Sequence, residues 1–142
     1  MDRRELSRTI LRVSGIVLIL LGAVHLLATP EMPHLLDGLP ANARAFAVGP
    51  TVLNHVLVGI LLMPLGFSTW LAASKFNFGQ PWARQAVVVN SLAVLALPLS
   101  LVLFMRQAQY YSSWLFLAGV TLAALTAALF AVAAWVSAST RP

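Results

Sequence analysis

The chain has no cysteine, which removes disulfides, thiolate metal sites and thiol nucleophiles from consideration. Charge is almost as scarce. Only 9% of the 142 residues are Asp, Glu, Lys or Arg, and 60% are apolar. A water-soluble domain carries about 25% charge and uses it to cover its surface. The carboxylates are Asp2, Glu5, Glu31 and Asp37, none inside a long apolar run. Paired catalytic carboxylates, a Gly-rich phosphate loop and a nucleophile elbow are all missing. Hydrolytic and phosphoryl-transfer chemistry are therefore not expected. The net charge is +5, but no basic stripe interleaved with aromatics appears, so no nucleic-acid partner is expected either.

What the chain has instead is long apolar runs. A helix that crosses a bilayer needs roughly 20 apolar residues, at about 1.5 Å each against a hydrocarbon core of about 30 Å. Residues 10–28, 52–74, 84–105 and 113–136 meet that requirement. The expected fold is all-α: an integral membrane four-helix bundle, one multi-pass domain over residues 1–142, with the lipid bilayer as its solvent. Lysine and arginine bias sets orientation. With the N-terminus inside, the inner side holds Arg3, Arg4, Arg8, Arg12, Lys75, Arg84 and Arg141, and the outer side only Arg44 and Arg106. The expectation is N-in/C-in, in a bacterial inner membrane. Trp70, Trp82 and Trp135 then fall at the inner interface, and Trp114, Tyr110 and Tyr111 at the outer one, the depth amphipathic rings prefer. Leu26-Leu27-Ala28 lacks the small-residue pattern of a cleavage site, so the first span is expected to be retained.

The longest connection, residues 29–50, lies outside. Pro40 suits a first helical position and Gly49-Pro50 a stop, which predicts two helical turns over 41–48. The segment reads as a connector in preference to a lid. Pro64 and Pro98 fall within spans, and each frees one helical carbonyl. With no acid in any span and no repeated broken helix, they do not amount to a transporter. Asn90 and Ser91 are expected to bond to neighbouring helices.

In lipid, small residues let helices associate. Gly119, Ala123, Ala127 and Ala131 recur every four residues in the fourth span, leaving Leu115, Leu122, Leu125 and Phe130 for lipid or lower layers. The first two spans carry a more informative pattern. Gly15, Gly22 and His25 share a face of one, and Gly66, Gly59 and His55 a face of the other. Run antiparallel, the two faces match layer by layer: histidine with histidine, then glycine with glycine twice. The faces are expected to meet or to flank one cavity.

The histidines are His25, His34 and His55, all in the outer half. Ionisable groups within spans are costly and often functional. Neutral imidazole is also a common metal ligand. His25 and His55, with His34 nearby in the loop, are the candidate metal ligands, and His25 and His55 the candidate cofactor-binding pair. Haem iron, copper, zinc or a hydrogen-bonded quinone are the groups such a pair can hold. The glycines beneath could let the helices touch or leave a slot for a flat cofactor. The plain alternative is that the two rings are neutral and bonded to each other, a carbonyl or a headgroup. No spaced ligand box such as His-Glu-x-x-His is present.

The run Arg12-x-x-Gly15-x6-Gly22-x-x-His25-Leu26, followed by a proline-bearing outer loop and three more spans, resembles DoxX-like membrane proteins. The resemblance covers the first span and the layout. It implies a small four-helix membrane protein, in a group some of whose members are associated with quinone-linked oxidoreduction, and it assigns no catalytic residue here. Together these readings favour a non-catalytic protein that works through other membrane subunits, self-association or small-molecule binding. The other reading is a membrane redox, metal or haem protein with a two-histidine site near the outer face.

Overall fold

The computed structural model describes residues 2–76, 80–104 and 114–138. The expected outer turn at 106–112, with Arg106, Tyr110 and Tyr111, lies outside the described residues, as does Arg141. The side chains of Arg4, Pro98, Leu115 and Trp135 lie outside them too. Four helices form: α1 (Arg3–Ala28), α2 (Ala41–Phe76), α3 (Pro81–Phe104) and α4 (Trp114–Ala138). Two 3-10 turns, Thr29–Glu31 and His34–Leu36, join α1 to α2. No strand occurs among the described residues. The stretches Glu5–Glu31 and Ala41–Lys75 are long and apolar enough to cross a membrane; the apolar stretches of α3 and α4, Pro81–Leu97 and Leu117–Ala133, are shorter.

The helix ends have local causes. The Thr29 hydroxyl donates to the His25 carbonyl (2.9 Å), satisfying one of the last-turn acceptors of α1, and Pro30 then stops the helix. The Pro40 carbonyl accepts from the Arg44 amide (2.9 Å) and opens α2. Pro81 begins α3, where a missing N–H does no harm.

One expected stop does not occur. Helix α2 runs unbroken through Gly49 and Pro50 for 36 residues, about 54 Å. Pro50 leaves only the Phe46 carbonyl without its helical donor, and Phe46 is 83% exposed, so that carbonyl lies on an open face. Nothing lies within 4 Å of a Cβ placed at Gly49, so no neighbour forces a turn there.

Helix α1 packs along α2 and against α4, and α3 packs against α2 and α4, so α1 and α3 occupy opposite corners. Neighbours run antiparallel: Ser7 near the start of α1 donates to the carbonyl of Ala133 near the end of α4 (3.2 Å). The interior is built from small and polar residues around a few larger ones. Ala72, Ala73, Ala83 and Ala133 are buried beside Leu11, Leu18, Leu62 and Val94, together with Ser7, Ser14, Thr69, Asn90 and Thr126. Large apolar side chains such as Leu20, Leu27, Leu61, Val89, Leu92 and Leu99 point outward instead.

Three of these buried polar groups are satisfied on their own helices. Ser14, Thr69 and Thr126 donate to the carbonyls of Ile10, Leu65 and Leu122, four residues back on their own helices. Asn90 reaches across from α3 to α2, where its amide donates to the hydroxyls of Ser68 and Thr69 (both 2.8 Å). Those two hydroxyls in turn donate to the Leu65 carbonyl. Ser91 was expected to bond a neighbouring helix as well; it donates to Val87 of its own helix instead (2.6 Å).

The small-residue ridge of α4 is only half realised. Ala123 and Ala127 are buried (4% and 7% exposed), but Ala131 is exposed and no described residue lies within 4 Å of a Cβ at Gly119. A four-residue step overshoots the helical repeat by about 40°, so three such steps turn a ridge away from its partner. The face that stays buried is Ala123, Thr126, Phe130 and Ala133, at steps of three, four and three, with Ala127 beside it. Phe130, expected at the lipid or in a lower layer, is 1% exposed and belongs to the core.

The histidine–glycine seam between α1 and α2

The candidate site is built on the seam where α1 and α2 touch. A methyl group at Gly15 would lie 2.6 Å from the Gly66 carbonyl oxygen, and one at Gly66 would lie 2.5 Å from the Gly15 oxygen. One layer on, a methyl at Gly22 would lie 2.8 Å from the Gly59 oxygen, and one at Gly59 would lie 3.0 Å from the Gly22 oxygen. The contacts are reciprocal and involve main chain on both sides, the arrangement that favours Cα–H···O=C contacts between helices. Of the two uses open to these glycines, close approach and a slot, the geometry has close approach.

The third layer is the histidine pair. The His25 and His55 rings stack with centroids 4.7 Å apart and planes inclined by 27°. His25 Nδ1 lies 3.0 Å from the Leu21 carbonyl. A carbonyl can only accept, so the proton of a neutral His25 is on Nδ1 and its Nε2 carries a lone pair. His55 Nε2 is withdrawn from solvent and has no well-formed hydrogen bond among the described residues, while the His55 ring also interacts with the His25 main chain. Asn54, next to His55 in the chain, faces outward.

His34 is elsewhere. It is exposed in the second 3-10 turn, with Nδ1 3.4 Å from the Asp37 carboxylate, which also pairs with Arg44. Asp37 and Arg44, with Leu39, Ala41, Ala45 and Val48, line an open depression at this end of α2. No group of three or more metal-ligating side chains occurs among the described residues. An ion bound by two imidazoles lies in the plane of each ring, about 2.0–2.1 Å from the nitrogen. Planes stacked as these are meet well beyond that reach. For both rings to hold one ion, or both axial positions of one haem, at least one ring must rotate; if it is His25, its bond to Leu21 is lost.

Two features of this seam escape a search for histidines and glycines. Arg8 and Arg12 precede Gly15 on the same stripe of α1, and the Nε of each is buried. The signal was the spacing 8, 12, 15, 19, 22, 26, which keeps one helical face throughout. Comparison with protein-family models, curated proteins and solved structures gives no match.

Proposed function

We propose that the chain is an integral membrane four-helix bundle with both ends on the cytoplasmic side, and that it acts by binding and not by catalysis. In this reading the His25–His55 pair, near the outer end, holds the polar head of a lipophilic molecule, for which a quinone is a fitting chemistry. The protein works alone or as an accessory subunit of a membrane assembly. The observation that carries the ligand site is the buried Nε2 of His55, without a well-formed hydrogen bond among the described residues, beside a ring already held by the Leu21 carbonyl. A buried polar nitrogen without a partner costs about 1–3 kcal/mol, and a ligand carbonyl or hydroxyl would remove that penalty. The membrane part rests on the inverted surface: leucines and valines outward, serines, threonines and an asparagine inward. In water, apolar exposure on this scale would drive association.

The test is titration of a short-chain benzoquinone into the protein in lipid nanodiscs, followed by 15N resonances of the histidine rings. A saturable shift at His55 is expected, with His34 unmoved, and in His55→Ala the quinone should no longer shift His25. No shift at any histidine would contradict the ligand site. The pairing of two imidazoles also supports a metal or haem reading, and one further measurement separates it. Near one equivalent of iron, copper or zinc in protein purified without a metal-affinity tag, lost in both His25→Ala and His55→Ala, would replace the quinone reading.

A further inference from the structure

We infer that Arg8 and Arg12 form a second binding site, for a phosphate-bearing anion, at the end of the α1–α2 seam opposite the histidines. The register of the seam leads to them. Gly15 lies against Gly66 and Trp70, so one further turn toward the start of α1 brings Arg12 level with Trp70 to Ala73 on α2, and Arg8 one turn beyond. The helices are pinned together there by glycine contact below and by the Ser7–Ala133 bond to α4 on the other side. Both arginines therefore stand at the mouth of a closed seam and not on a free helix surface.

Three observations converge on an anion. The Nε donors of Arg8 and Arg12 are both withdrawn from solvent, and neither has a hydrogen-bond partner among the described residues. A guanidinium offers donors only and does not lose its charge, so it can be satisfied only by an acceptor brought to it. Next, the two cations sit one turn apart on one face, where like charges repel. An anion between them reverses that repulsion. Finally, Glu5, the nearest acid in sequence, does not serve. Glu5 is exposed, and no ion pair joins it to either arginine among the described residues. Lys75 and Arg84 are also exposed and belong to the same end, so a diffuse positive field would use them equally. Of the described cations at this end, only the seam arginines have buried Nε donors; Arg44, whose Nε is also buried, lies at the other end of the seam and pairs with Asp37.

Two guanidinium forks one turn apart suit the oxygens of a single phosphate. The phosphate can belong to an anionic lipid headgroup or to a soluble ion, and the experiment separates the two. The thermal unfolding midpoint of the full chain in mild detergent is measured with phosphatidylglycerol, with phosphatidylcholine and with inorganic phosphate. Phosphatidylglycerol is expected to raise the midpoint saturably, and phosphatidylcholine to do much less. A rise with inorganic phosphate alone would assign the site to a soluble phosphate. The response is expected to vanish in Arg8→Gln/Arg12→Gln and to persist in Lys75→Gln/Arg84→Gln. Should the double glutamine variant not fold, Arg8→Lys/Arg12→Lys retains charge but not the fork, and should need at least about tenfold more lipid or phosphate for the same rise. Equal responses to both lipids without any response to phosphate, an undiminished response in the arginine variants, or its loss in Lys75→Gln/Arg84→Gln would each overturn the site.

Discussion

Alanine at Gly66 is expected to lower the stability of the bundle by about 1–3 kcal/mol, and leucine there to prevent α1 and α2 from packing at all. The added methyl meets the Gly15 carbonyl oxygen at 2.5 Å and the Ile19 amide nitrogen at 2.8 Å. Both are main-chain atoms of a helix, so neither can swing aside; the helices must separate along the seam. Opposing this is the better helix propensity of alanine, about 1 kcal/mol. It does not win, because separating α1 from α2 also loosens the Gly22–Gly59 layer and the histidine stack above it. Gly119→Ala makes the matched control. Among the described residues nothing lies within 4 Å of a Cβ there, so only the propensity term acts and the variant should be neutral or slightly more stable. Unfolding by SDS titration in mixed micelles, read by helicity, measures both. Equal losses at Gly66 and Gly119 would mean that the close approach of α1 and α2 does not exist.

The second large effect is expected at Asn90. It is 6% exposed and bonds to Ser68 and Thr69 through its amide group, while both hydroxyls give their protons to the Leu65 carbonyl. Asn90→Leu removes the cross-helix bonds to Ser68, Thr69 and the Leu65 carbonyl but leaves each hydroxyl its carbonyl, so the loss should be modest, about 1 kcal/mol. Asn90→Asp puts a carboxylate among those oxygens with no described cation paired to it, and should lose about 3 kcal/mol and much of the membrane-inserted yield. The same SDS titration, with the inserted fraction measured in parallel, ranks the two variants. A leucine variant less stable than the aspartate variant would show that the amide bonds hold α2 to α3 and that the site tolerates charge.

The parts of this structure that could be read from the chain are those governed by helical period and apolar length. The helices and their approximate ends follow from runs of apolar residues and from prolines at 30, 40 and 81. The order of layers along the α1–α2 seam follows because three residues on each helix recur at steps of three, four and seven. Features governed by three-dimensional surroundings were not legible. Gly49-Pro50 has the composition of a stop, yet a proline ends a helix only where the freed carbonyl or the ring meets something better, and Phe46 lies open. The ridge from Gly119 to Ala131 looks continuous on paper but twists away, and Phe130 takes its place in the core. The orientation of the histidine rings was equally hidden. Spacing brings His25 and His55 together, but the bond from His25 Nδ1 to Leu21 sets the tautomer and the ring angle. That angle is what weighs against one ion shared by both rings.

The most direct measurement exploits the absence of cysteine. His25→Cys/His55→Cys is oxidised in native membranes, and trypsin then cuts after Arg44 in the second turn of α2, the only Lys or Arg between the two positions. The two halves should remain joined until reduced, in material that stays with the membrane through a carbonate wash. The partner variant His25→Cys/Leu62→Cys, about 10 Å further along α2, should fall into two fragments without reduction. Equal joining in both variants, or protein released into the soluble fraction, would contradict the layered seam in a membrane on which the binding proposal depends.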